Sequence, residues 1–231
     1  MMNRNRILQT ILLAVSALGV SAPVSAAPFP IARIYIEYNA SANDLGFHVS
    51  LDGPNWRQLD IVNPRGIKVF EVVGKAGYAE LGMTELFFEG AEPNLDEFPL
   101  EQLLARFPEG RYKFRGVEIG GTVLNSSPRL SHAVPDGPEV EADVRRDDVV
   151  IRWEPVTGVP EGFPRRRIEI VGYQVIVGSF QVTLPAGATE VELPDEFVES
   201  LPRGEEIPFE VLAIDRSGNQ SITEGEFELP D

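Results

Sequence analysis

The chain has 231 residues, 43% of them hydrophobic, with 36 acidic residues against 20 basic ones and no cysteine. That length supports one large or two small domains with buried cores, and the lack of cysteine removes disulfides, thiolate metal sites and cysteine nucleophiles together. A net charge of −16 disfavours nucleic acid and anionic membrane, whose binding runs on Lys and Arg meeting phosphate, and leaves cations or basic surfaces as better partners.

Residues 1–26 read as a secretory signal peptide. Arg4 and Arg6 make a basic start, residues 7–20 an apolar run, and Val24, Ser25 and Ala26 a small-residue site with cleavage expected after Ala26. The run is shorter than the roughly 20 residues that span a bilayer, so no membrane insertion is expected after cleavage. The leader has a bacterial character, which places the mature protein in the periplasm or outside the cell. Its removal takes away two arginines and no acid, moving the net charge from −16 to −18. The N-x-S/T sequons at Asn39, Asn125 and Asn219 are then expected to stay unmodified.

The first half, residues 27–133, alternates apolar and polar residues in several runs. Residues 32–39 predict a strand, residues 46–53 a second closed by an Asp-Gly turn at Asp52 and Gly53, and residues 56–62 a third. Asn63-Pro64-Arg65-Gly66 has turn chemistry throughout, after which residues 67–73 pair back. Residues 86–89 add a strand, and residues 99–107 form one short helix with Pro99 in the first turn and Leu100, Leu103, Leu104 and Phe107 on one face. Residues 111–119 and 122–130 close the unit as a hairpin around Gly120-Gly121.

Chemistry in this half rests on oxygen donors. Asn39, Ser41, Asn43 and Asp44, with Glu37 and Asp52 nearby, offer a loop of the kind Ca²⁺ prefers, although the central glycine and terminal acid of a calcium loop are missing. The same residues also make an ordinary Asx turn that satisfies its own backbone. Glu85, Glu89, Glu92, Asp96 and Glu97 read as a solvated acidic patch. His48, in a strand, reads as a partly buried or cross-strand residue. No nucleophile-elbow or zinc-helix motif is present, so no catalytic residue is assigned.

Residues 131–138 lack periodicity and carry Pro135 and Pro138, marking a boundary at about residue 134 between two domains expected to touch end to end. Beyond it, Pro138-Glu139-Val140, the run VVIRWEPV with Trp153, VGYQVIV with Tyr173, LPRGEEI with Leu201 and the final EVLAIDRSGNQS resemble, in order and spacing, a fibronectin type III domain over residues 134–231. The resemblance implies an immunoglobulin-like sandwich in which Trp153, Tyr173, Leu201, Ile207, Phe209, Val211 and Ala213 form the core. Ile207 stands where the family has its corner tyrosine, so Leu201 holds that corner by packing. Residues 194–200 predict a short helix at the sandwich edge. The loops of residues 155–167 and 215–220 are where such sandwiches meet partners, and Arg165, Arg166 and Arg167 make a basic run there, either a docking patch or a neutraliser of nearby acids.

The expected fold class is therefore all-β, two β-sandwich-like domains in tandem, the first with one short helix. The expected function is an exported, non-catalytic binding, adhesion or scaffold protein, meeting a protein or polysaccharide partner and requiring no cofactor. Two alternatives remain open: a calcium-assisted carbohydrate-binding module using exposed Trp56 or Tyr78, and a hydrolase using a pair of acids.

Overall fold

In a computed structural model of the protein, residues 26–145 and 148–230 are described. The signal-peptide reading falls outside them apart from Ala26. Strands dominate throughout, and no helix among the described residues is long and apolar enough to cross a membrane.

The order is β1 (Ile31–Asn39), β2 (Asp44–Val62), β3 (Lys68–Val73), α1 (Gly77–Leu81), β4 (Met83–Glu89), α2 (Leu100–Arg106), β5 (Gly110–Arg111), β6 (Lys113–Glu118), β7 (Val123–Ser126), β8 (Arg129–Leu130), β9 (Val140–Arg145), β10 (Asp148–Trp153), β11 (Ile170–Val177), β12 (Phe180–Pro185), β13 (Glu190–Glu192), α3 (Asp195–Val198), β14 (Glu206–Asp215) and β15 (Gln220–Glu228).

β2 organises the first half. Its early residues pair with β1 and β4 and its late residues with β3 and β6. The two stretches expected as separate strands are thus one strand of 19 residues, and Asp52-Gly53 is a bend within it. Pro54 has no N–H to give a ladder, and a Cβ on Gly53 would lie 2.8 Å from the Phe29 ring, so the strand turns there without ending. Both ladders shift register next to this bend, between Asp52 and Trp56 towards β4 and between Trp56 and Gln58 towards β6. A strand that changes partners at such a bend forms the corner of a sandwich.

The bend also sends Trp56 inwards, where it is fully buried. It is no platform for a sugar. The helix expected over residues 99–107 appears as α2 with Pro99 at its N-cap, burying Leu103 and Leu104 and stacking Phe107 on Phe47 with ring centroids 3.9 Å apart.

In the second half, β9, β10 and β13 form one sheet and β11, β12, β14 and β15 part of another. Trp153 on β10 and Tyr173 on β11 meet between them, ring centroids 5.4 Å apart. Ile207, Phe209, Val211 and Ala213 line the same core at period two, Leu201 packs partly buried at its edge, and α3 caps it. The Tyr173 hydroxyl accepts the Val156 N–H at 2.9 Å. Tyr173→Phe removes that acceptor and is expected to lower stability by about 1 kcal/mol, read as a lower urea midpoint at unchanged slope.

The two halves share a sheet. β15 runs parallel to β1 with Glu37, Tyr38 and Asn39 opposite Gln220, Ser221 and Ile222, so the large sheet runs β12-β11-β14-β15-β1-β2-β6-β7 across both cores. Asn219 is fully buried at the join. Its Oδ1 accepts the Ile36 N–H at 2.8 Å, and its Nδ2 donates to the Ser131 and Ala133 carbonyls at 2.9 and 2.8 Å. The sequon asparagine therefore has its amide wholly engaged.

Candidate functional site

The expected calcium loop loses Asp52, and most of its other donors bond within the protein. Asn39 and Asp44 face each other at the hairpin end of β1 and β2, whereas Asp52 stands opposite Ile31 at the far end. Eight residues of strand at about 3.3 Å each separate them, far beyond one ion's reach. Asn39 Oδ1 accepts the Ser41 and Ala42 N–H groups at 3.0 Å, an Asx turn, and its amide donates to Glu224 at 2.7 Å. The Ser41 hydroxyl accepts the Glu224 N–H, and Asn43 donates to Asp96. This loop fastens β15 and residues 94–96 to the hairpin.

The partner loops of the second half each send residues into the first half, while Arg165, Arg166, Arg167 and Arg216 stay exposed. Phe163 joins the first core, its ring 4.8 Å from that of Tyr38, and Arg166 pairs with Glu109 at 2.9 Å. Of Arg165, Arg166 and Arg167, the middle one thus neutralises an acid across the join. Burial works against the Glu109 carboxylate, yet the His132 N–H and Arg166 hold its pKa below the usual range.

A different group of side chains converges on the outer face of β1, β2 and β4. Because Ile34, Ile36 and Tyr38 point into the core, Tyr35 and Glu37 point out; because Phe47 and Val49 point in, Gly46 and His48 point out; and Glu89 faces outwards past the inward Phe88. Register places Tyr35 opposite His48, Glu37 opposite Gly46, and His48 opposite Glu89. Glu92 arrives from the next loop, which is tied down by Gly90 N–H to the Phe47 carbonyl and Asn94 Nδ2 to the Ala42 carbonyl. One donor atom from each of Glu37, His48, Glu89 and Glu92 lies within 4.8 Å of the others.

His48 is only 4% exposed. Its ring stacks on Tyr35, centroids 4.8 Å apart and planes 11° from parallel, and Phe87 leans on it at 5.7 Å. Nε2 forms ion pairs with Glu89 Oε1 at 2.6 Å and Glu37 Oε1 at 3.6 Å, while Nδ1 makes no hydrogen bond. Gly46 makes the approach possible: a Cβ there would lie 2.5 Å from Glu89 Oε1 and 3.0 Å from Glu92 Cγ.

The electrostatics are those of crowded carboxylates. Burial disfavours the His48 imidazolium, but Glu37, Glu89 and Glu92 outweigh it and raise its pKa above the usual histidine value. Burial pushes Glu37 up, and contacts with His48 and Gln220 more than reverse it, leaving it low. Burial, then the adjoining Glu89 and Glu37 carboxylates, push Glu92 up to about 7. Tyr35 is raised to about 12 by burial and the same acids. Even with His48 protonated, three ionised carboxylates leave this pocket two charges negative, and like charges at this range resist joint ionisation.

Sequence reasoning placed Glu89 and Glu92 in a solvated patch and His48 in a bland cross-strand role. The signal that joins His48 to Glu89 and Glu37 is register, outward positions on three neighbouring strands with a glycine beside the histidine's row, and Glu92 follows on the loop after β4.

No protein-family model matches the chain, and no curated protein matches it. Among solved structures, the spore cortex lytic enzyme SleM of Clostridium perfringens is 22% identical over 47% of this chain and 33% of that one, with a TM-score of 0.33. The BSP domain of a biofilm associated protein is 14% identical over 87% of this chain and 29% of that one, with a TM-score of 0.25. A 1.5-MDa bacterial ice-binding adhesin, described for host cell surface retention, is 8% identical over 89% of this chain and 66% of that one, with a TM-score of 0.26. The chain spans about a third or less of the first two.

Proposed function

We propose that the protein is an exported, non-catalytic binding or scaffold module in which a fibronectin type III-like second unit is fused rigidly to the first. The observation that carries this reading is the parallel β1–β15 pairing sealed by Asn219, which joins two cores through one sheet. Such a join fixes the distance and angle between the two ends, which is what a spacer or presenting module needs and what an isolated domain pair on a slack linker lacks. The layout of β9, β10 and β13 against β12, β11, β14 and β15, with Trp153 between the layers, supports the fibronectin-like reading.

The calcium-assisted carbohydrate reading loses Trp56, which is buried, and keeps Tyr78, which is exposed, while the Asn39, Ser41 and Asn43 side chains of its loop bond within the protein. Expression of the full chain in a Gram-negative host tests the export half: the protein recovered from the exported fraction is expected to begin at Ala27, and uncleaved chain retained in the cytoplasm would contradict it. Incubation of that product with the native cell's exported proteins and polysaccharides tests the rest. A partner retained unchanged is expected; turnover of the partner would overturn the non-catalytic reading.

A further inference from the structure

We infer that Glu37, His48, Glu89 and Glu92 form a binding site for one divalent transition-metal ion of the Zn²⁺ class, which crosslinks β1, β2, β4 and the loop after β4 on the outer face of the sheet. The inference stands apart from the export and binding reading.

The donor geometry comes first. Zinc bonds nitrogen at about 2.0–2.1 Å and carboxylate oxygen at about 2.0–2.2 Å, so tetrahedral ligand atoms sit roughly 3.3–3.5 Å from one another. Four donors already within 4.8 Å need only small side-chain rotations to close on such an ion. Three of them stand on paired strands, whose register is set by the buried face and cannot slip without exposing the core.

His48 supplies an independent reason. A buried polar atom normally has a partner, and one left without costs stability. Nδ1 of His48 has no hydrogen-bond partner, and Nε2 is aimed between two carboxylates, with which it forms ion pairs. A metal at that point gives Nε2 a coordinate bond in place of its ion pairs and neutralises two of the crowded negative charges. The Tyr35 stack and Phe87 hold the ring in this orientation beforehand, so little side-chain freedom is lost on binding. Gly46 completes the case: any side chain there would occupy the space through which Glu89 and Glu92 reach the imidazole.

The donor set chooses the ion. Calcium and magnesium take oxygen ligands, whereas imidazole draws first-row transition ions, and one nitrogen with three carboxylates fits the four-coordinate preference of zinc.

Titration of the protein, purified without a histidine tag and stripped with chelator, tests this. Calorimetry is expected to show one Zn²⁺ per chain, and the thermal midpoint to rise by about 5–10 °C at a hundredfold excess over the dissociation constant, with no rise from the same concentration of Ca²⁺. Loss even of residues that only orient metal ligands weakens binding about 10–100-fold, so H48A and E92Q are each expected to weaken it at least tenfold. Gly46→Ala, which removes no donor but crowds two, is expected to weaken it too, while H132Q, at the other histidine, leaves it unchanged. Glu92 is exposed, so E92Q keeps the test decisive if H48A fails to fold. Absence of stoichiometric Zn²⁺ binding, binding undiminished in E92Q and Gly46→Ala, loss of binding in H132Q, or preference for Ca²⁺ would each overturn the site.

Discussion

Replacing Asn219 with alanine is expected to break one shared unfolding transition into two. In the native protein the Asn219 amide joins three backbone groups from the first half, and all of them lie where water does not reach the asparagine. Alanine leaves the Ile36 N–H and the Ser131 and Ala133 carbonyls without that partner. A buried group so orphaned loses about 1–3 kcal/mol, and the three belong to one network, so a total of about 3–5 kcal/mol is expected. Against a stability of about 5–15 kcal/mol for a typical domain, that is a large fraction. The loss falls on the join more than on either core, so urea unfolding followed by tryptophan fluorescence should separate two steps. Asn219→Asp is a sharper variant. It keeps the acceptor for Ile36 but replaces two donors with a charge facing two carbonyl oxygens, and should cost at least as much.

Trp153→Ala is expected to be of similar size and to fall elsewhere. Trp153 is 4% exposed and fills the space between β10 and β11 against Tyr173. Truncating a core tryptophan to alanine typically costs about 3–5 kcal/mol, through lost transfer energy and the cavity left behind. The second core should therefore unfold first in this variant. The first core should keep a transition of its own at lower denaturant than in the native protein, because β1 loses β15 and Ile36 loses Asn219 once the second half opens. Trp153→Phe separates packing from polarity: the indole N–H makes no hydrogen bond, so nothing polar is lost and the drop should be clearly smaller. Unfolding of both variants in a single unshifted transition would refute this assignment of the core.

Local patterns explain why some of this was legible from the chain alone. Period-two alternation in residues 207–213 and 32–38 predicted which faces are buried, because each strand reports its own inward side. Pro99 and the spacing of Leu100, Leu103, Leu104 and Phe107 predicted α2 in the same way. Two kinds of feature escaped. Asp52-Gly53-Pro54 carries turn residues, yet the chain bends there without reversing, because Trp56 finds a core on the other side of the corner. The parallel contact of β1 with β15 joins the beginning of the described chain to its end, and no local pattern encodes a partner some 183 residues away. For the same reason the carboxylate–imidazole group was invisible. Glu37, His48, Glu89 and Glu92 have no motif spacing and become neighbours only through the register of three strands and the fold of the loop after β4. Asn219 read as part of a turn and a sequon, and its role depends on Ile36, which sequence alone does not bring near.

Native-state hydrogen exchange at the Ile36 amide tests the fused architecture most directly. That N–H bonds across the join to Asn219 rather than within its own half, so its protection reports whether the halves stay together. The fused sheet predicts that Ile36 exchanges as slowly as the amide of Val211 in the second core and becomes much faster in Asn219→Ala. An Ile36 amide that exchanges freely in the native protein, while Val211 remains protected, would contradict it.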